Sequence, residues 1–211
     1  MNIRPPAVAG MFYPGDTRTL ATTVDRLLGT AAHQPAAQPK ALIAPHAGYI
    51  YSGATAAVAY AELAPWKAII RRVVLLGPTH RVAVNGIALP ETDSFATPLG
   101  NVRIDQQAVA AIAELPQIVF SDHAHAFEHS LEVHLPFLQR ILDDFTLVPL
   151  AVGHAAPEAV AEILDKLWGG PETLIVVSSD LSHFLPYGTA RQVDGNTCHH
   201  ILQLDTHIRP E

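Results

Sequence analysis

Four short apolar runs constrain this fold more than any other feature: "KALIA" (40–44), "RRVVLLG" (71–77), "FTLVPLAVG" (145–153) and "TLIVVSS" (173–179). Within them "VVLL" and "LIVV" show no apolar/polar alternation. Such runs suit strands covered on both faces, as in a parallel sheet. Stretches with helical spacing separate them. "TRTLATTVDRLL" (17–28) has apolar residues at 20, 24, 27 and 28, and "SGATAAVAYAEL" (52–63) reads as an alanine-rich helix with Ser52 as N-cap. "DQQAVAAIAEL" (105–115) and "PEAVAEILDKLW" (157–168) read as helices, the second with Pro157 near its start. "SLEVHLPFLQRIL" (130–142) places Leu131, Leu135, Leu138 and Leu142 on one stripe, and Pro136 should bend it or mark a boundary. "TARQVDGNTCHHILQL" (189–204) is a final helix. "NGIALP" and "LGNVRID" read as strands outside the main sheet. This alternation predicts an α/β fold with a mostly parallel central sheet covered by helices, in a single domain over 1–211. The proline- and alanine-containing loop at 31–39 is the one weak candidate for a break.

Composition removes several function classes. The formal charge is -7 and no basic cluster occurs, so nucleic acid and anionic membrane are poor partners. A small-molecule substrate, a protein partner and association into a homo-oligomer remain open. One cysteine, Cys198, makes no internal disulfide, which fits a reducing, cytoplasmic compartment. The N-terminal "MNIRPPAVAGMFYPGD" is interrupted by proline and glycine and reads as neither signal peptide nor membrane span. Walker A and dinucleotide fingerprints are absent, as is the G-x-S-x-G of serine hydrolases.

The unusual count is 12 histidines. Two of them close apolar runs: "ALIAPH" ends at His46 and "RVVLLGPTH" at His80. A third run leads into "SSDLSHF", with Asp180 and His183. In parallel α/β sheets ligands collect beyond the carboxyl ends of the strands, so these residues are expected at one sheet edge. Neutral imidazole is a common metal ligand, and two histidines with a carboxylate or thiolate suit Fe(II), with zinc as an alternative. The bland reading is that each histidine hydrogen-bonds its own loop. In "DHAHAFEHSLEVHLPF" (122–137), His129 and His134 are five residues apart, roughly 140° around a helix, so they share no face. Glu128 and Glu132 do share one. Glu128, His129, Glu132 and His134 are therefore expected as outer partners that orient a ligating imidazole, or as a solvated acidic helix start. His123 and His125 are expected on a surface loop. His154, His199, His200 and His207 have no supporting context.

Six blocks occur in order: "RPPAVAGMFYPGD", "APHAGYIYSG", "LLGPTH", "TPLGNVRID", "EHSLEVHLPFLQ" and "VVSSDLSHFLPY". Together they resemble the Memo family, including its bacterial members called AmmeMemoRadiSam system protein B. That family is similar in fold to class III, LigB-type extradiol dioxygenases. The resemblance implies His46 and His80 as metal ligands, His183 as acid/base and Asp180 beside the metal. It also implies a third-ligand cysteine in a C-terminal "CG" motif. The 211 residues end at "LDTHIRPE" without that motif, and Cys198 in "NTCHH" does not match it. The function implied is a metal-binding protein, with iron or copper and oxygen or redox chemistry. The alternatives are a non-catalytic protein-interaction module on the same scaffold, and a zinc-dependent hydrolase using His183 as base.

Overall fold

All four apolar runs lie side by side and set the direction of everything else. The structure is a computed structural model and describes residues 2–31 and 37–205. Most of the loop expected at 31–39, and His207, lie outside the described residues. The strands are β1 (Ile3–Arg4), β2 (Ala41–Ala44), β3 (Arg72–Pro78), β4 (Ile87–Leu89), β5 (Ser94–Thr97), β6 (Gly100–Arg103), β7 (Ile118–Phe120), β8 (Thr146–Val152) and β9 (Thr173–Ser178). The helices are α1 (Thr17–Thr30), α2 (Tyr49–Ala61), α3 (Gln106–Ile112), α4 (Asp122–Ala126), α5 (Leu135–Ile141), α6 (Pro157–Leu167) and α7 (Tyr187–Leu202). The chain divides into two units, the first ending at Ser179 and the second beginning at Asp180. The second contains α7.

In the first unit a six-stranded sheet has the order β2-β9-β3-β8-β4-β7. β2, β9, β3 and β8 are parallel, β4 runs antiparallel to β8, and β7 is parallel to β4. The fold class is α/β with a mostly parallel central sheet flanked by helices. The unalternating runs are its buried centre: Val73, Val74, Leu75, Leu174 and Val176 are fully buried. α1, α2 and α5 pack with one another, as do α3 and α6. Asp16 caps α1 by accepting from the Thr19 N–H at 2.8 Å, and Asp105 caps α3 from Ala108 at 2.9 Å. β1, β5 and β6 form a separate small sheet. No helix among the described residues is long and apolar enough to cross a membrane.

Two local expectations need correction. "NGIALP" contributes β4 to the main sheet, because Ile87 and Ala88 pair with Val152 and Ala151 of β8; "LGNVRID" supplies β6 of the small sheet, as expected. Helix α2 begins earlier than Ser52, with Gly48 at its N-cap. The Ser52 hydroxyl instead donates to the Ala47 carbonyl at 2.9 Å, inside the first turn. The stripe at 130–142 is broken next to Pro136, as expected: a 3-10 turn spans Glu132–His134, and α5 starts at Leu135 with Pro136 in its first turn.

Because β2, β9 and β3 are adjacent and parallel, their carboxyl ends share one edge. Ala44 pairs with Ser178, and Leu76 with Val177. The strand ends approach closely at Gly77. A β-carbon there would stand 2.9 Å from Ser178 Cβ and 3.1 Å from both Leu131 Cδ2 and Ser130 Oγ. Overpacking of this kind costs about 1–3 kcal/mol. Gly77→Ala should lower the unfolding free energy by about 1–3 kcal/mol, read as a lower urea midpoint at unchanged slope. A wild-type midpoint would show that the edge relaxes freely.

Candidate metal centre

His46 follows β2 and His80 follows β3, so the parallel pairing brings both to the same edge. Between β2 and β3 lies β9, which ends at Ser178. The Ser178 hydroxyl donates to the Ser130 carbonyl at 2.7 Å, and its oxygen lies 2.7 Å from His46 Nδ1. A hydroxyl has one proton. With that proton committed to Ser130, the oxygen must accept from His46, which places the imidazole proton on Nδ1 and the lone pair on Nε2. His80 is fixed in the same sense. Its Nδ1 lies 2.8 Å from Glu128 Oε1, and its backbone N–H donates to Glu128 Oε2 at 2.5 Å. An ionised carboxylate only accepts, so His80 also carries its proton on Nδ1 and its lone pair on Nε2. Both tautomers follow from the network of partners.

The third imidazole is His129. The rings of His46, His80 and His129 form a triangle with centroid separations of 5.3, 5.6 and 4.6 Å. One ring nitrogen of each lies within 4.8 Å of the other two. A bound ion would take each nitrogen at about 2.0–2.1 Å. The donor set is thus three imidazoles, and the cluster fits a metal site. Phe12 packs against His129 with centroids 4.7 Å apart. His46 is buried, whereas the His80 side chain is 38% exposed and gives the cluster an open side.

Glu128 is the hub of this arrangement. It is 1% exposed. Besides His80, its Oε1 accepts from the N–H groups of His129 and Ser130, both at 2.9 Å. Burial alone would raise its pKa; the hydrogen bonds from the His80 ring, the His80 N–H and the Ser130 N–H outweigh that and hold the carboxyl at about 2. The other acidic residue of the segment is used elsewhere. Glu132 accepts from Arg4 Nη1 (2.7 Å), the Ala7 and Val8 N–H groups (2.7 and 3.0 Å) and the Tyr13 hydroxyl (2.6 Å). It binds the N-terminal segment and hydrogen-bonds none of the three clustered imidazoles. His134 Nδ1 lies 2.8 Å from the Tyr60 hydroxyl. Burial first, and then the neighbouring His46, push its pKa down to about 3.

His125, expected on a surface loop, is 1% exposed in α4. Its Nε2 bonds the Ala88 carbonyl at 3.0 Å, and burial lowers its pKa to about 4. His123 and His154 are exposed. Asp180 and His183 belong to the second unit, where His183 Nε2 stands 3.8 Å from Asp180 Oδ2. His200, in the same unit, pairs with Asp205 at 2.8 Å.

The family model for Memo-like protein matches residues 4–209. The chain belongs to the Memo-like family. A curated MEMO1 family protein of Aquifex aeolicus is 40% identical over 198 residues, covering 92% of this chain and 72% of the relative. Those of Ignicoccus hospitalis and Archaeoglobus fulgidus are each 34% identical, covering 97% and 96% of this chain and 77% and 76% of theirs. In this Memo-like chain the sequence reading missed His129 as a member of the imidazole cluster. It assumed a helix through 128–135, but residues 127–131 form neither helix nor strand. Ser178 and Ser130 were likewise not foreseen as the partners that orient His46.

The buried groups also set a pH dependence. The folded-state values of His125 and His134 lie below the ordinary 6.5. Their stabilisation is therefore full above about pH 6.5 and lost as pH falls toward 4 and 3. Glu128, depressed from 4.5 to about 2, adds a loss only below about pH 4.5. Unfolding free energy of the metal-free protein should fall from pH 6.5 downward, each buried histidine contributing a slope of about 1.4 kcal/mol per pH unit. His134→Gln should remove one such increment between pH 6 and 4. Parallel slopes for variant and wild type would contradict the assignment.

Proposed function

We propose that this Memo-like protein binds a redox-active divalent metal, Fe(II) or copper, at His46, His80 and His129, and carries out oxygen or redox chemistry there. The observation that carries the reading is the triangle of imidazoles, in which Ser178 and Glu128 aim the lone pairs of His46 and His80. Imidazole donors suit iron, copper and zinc alike, and a three-nitrogen set leaves coordination positions for exogenous ligands. When bound, such a metal supplies electron exchange with oxygen and Lewis acidity. The chain's own residues do the rest. Glu128 holds His80 by ring and backbone and places a negative charge behind the centre. Ser178 keeps His46 in the metal-binding tautomer, Phe12 covers one face of His129, and the exposed side of His80 admits a ligand. Proton transfer by His183, with Asp180 beside it, is part of the same proposal and rests on the match of "SSDLSHF" to the family.

Two further readings have support of their own. Three histidines are also the donor set of some catalytic zinc sites, which favours a zinc-dependent hydrolase. Met11, Ile50 and Tyr51 are 73%, 86% and 81% exposed, next to Phe12 and the start of α2, which favours a protein-interaction surface. Metal analysis of protein purified without oxygen separates them. Iron or copper should be found at about one ion per chain, and His46→Ala, His80→Ala and His129→Ala should each weaken binding by at least about tenfold. Zinc in that role would move the protein to the hydrolytic reading. Metal content unchanged in all three variants, with partner binding intact in a His46/His80 double variant, would leave the interaction module.

A further inference from the structure

The stretch that carries His129 has no secondary structure to hold it. Residues 127–131 lie between α4 and the turn Glu132–His134, so their backbone groups need partners from elsewhere. One distant side chain takes up one of them and grips the residues on both flanks. Arg4, in β1, is 4% exposed. Its Nε donates to the His125 carbonyl at 2.6 Å, its Nη2 to the Glu128 carbonyl at 2.7 Å, and its Nη1 to Glu132 Oε2 at 2.7 Å. The Glu128 carbonyl belongs to the peptide unit that leads into His129. The N–H of that same unit is held by Glu128 Oε1. A peptide unit is planar, so fixing its oxygen and its N–H fixes the position of the His129 Cα.

Arginine suits this task because its planar fork of donors meets several acceptors at once. The fork is itself immobilised. Its guanidinium carbon lies 4.8 Å from the Phe95 ring centroid, and Glu132 ties the acceptor side to Ala7, Val8 and Tyr13. The same N-terminal segment places Phe12 against the His129 ring. It therefore reaches His129 twice, through the ring and through the preceding peptide.

The geometry points to Arg4 as a positioning residue of the metal centre, one that sets the affinity of the imidazole cluster by fixing the Glu128–His129 peptide; this rests on the metal-binding reading above. Arg4 touches neither metal nor substrate. Its effect passes through His129, so it should vanish when His129 no longer donates. A merely structural role would weaken binding equally whichever imidazoles remain.

The test is a double-mutant cycle on the full chain, titrated with Co(II) alone and followed by visible absorption. Arg4→Lys keeps the charge beside Glu132 but loses the fork, and should weaken Co(II) binding by about 10–100-fold, with a spectrum shifted toward that of His129→Ala. In the His129→Ala background the same change should alter affinity by less than about threefold. Amide exchange of the metal-free protein is the second readout: the N–H of His129 should exchange about tenfold faster in Arg4→Lys, while the His80, β3 and β8 amides keep their protection. Equal weakening in both backgrounds, or unchanged exchange at His129, would overturn the inference. If wild-type protein takes up no Co(II), the metal-binding reading fails, and the exchange comparison still decides what Arg4 does. Should Arg4→Lys not fold, Glu132→Gln, which keeps the shape but loosens the hold on the guanidinium, must give the same pattern, and its failure to do so would also overturn the inference.

Discussion

The buried carboxylate of Glu128 accepts four hydrogen bonds from two consecutive residues and one distant one: the N–H groups of His129 and Ser130, and both the ring and the N–H of His80. An unpaired carboxylate in that position would cost several kcal/mol, and partners on both oxygens remove the penalty. The result is more than local. His80 sits just beyond β3, so one anion ties the end of a central strand to the irregular stretch at 127–131. That stretch would otherwise have little reason to lie over the sheet edge. Ser130 completes the tie by donating its hydroxyl to the Pro78 carbonyl at 2.8 Å and receiving the Ser178 hydroxyl on its own carbonyl. Three separate parts of the sequence are thereby locked to one another within hydrogen-bonding distance of the imidazoles.

The two imidazoles at strand ends are oriented by opposite means. His80 faces an anion, whereas His46 faces a neutral hydroxyl whose proton is already committed. Both outcomes leave the proton on Nδ1. A buried centre built only from charged partners would carry a larger desolvation cost. Using one carboxylate for His80 and a hydroxyl for His46 confines the buried negative charge to a single group. Gly77 belongs to the same design, because a side chain there would crowd the Ser178, Ser130 and Leu131 side chains.

Much of this was legible in the sequence, for identifiable reasons. Unalternating runs such as "VVLL" predict buried parallel strands, and the parallel arrangement then forces His46 and His80 to one edge. Pro136 marks a helix boundary because it lacks an N–H, and α5 indeed begins one residue before it. What was not legible depended on tertiary partners. His129 becomes part of the cluster only because Glu128 and Arg4 hold a non-helical stretch, and helical spacing cannot describe such a stretch. His125 lies in a run of polar residues and looks exposed, yet α4 turns its ring onto the Ala88 carbonyl. Glu132 was expected to face the imidazoles, but its partner Arg4 lies 128 residues away in sequence. β1, β5 and β7 are two to four residues long, too short for periodicity to reveal.

The central claim is that three imidazoles, gathered by Glu128 and Ser178, form one metal centre in a Memo-like fold. X-ray absorption of the full chain loaded with a single equivalent of Zn(II) tests it most directly. The account predicts three imidazole nitrogens at about 2.0–2.1 Å, with the multiple-scattering signature of histidine rings, and two in His129→Ala. A first shell made of oxygen alone, or the same imidazole count in wild type and His129→Ala, would contradict it.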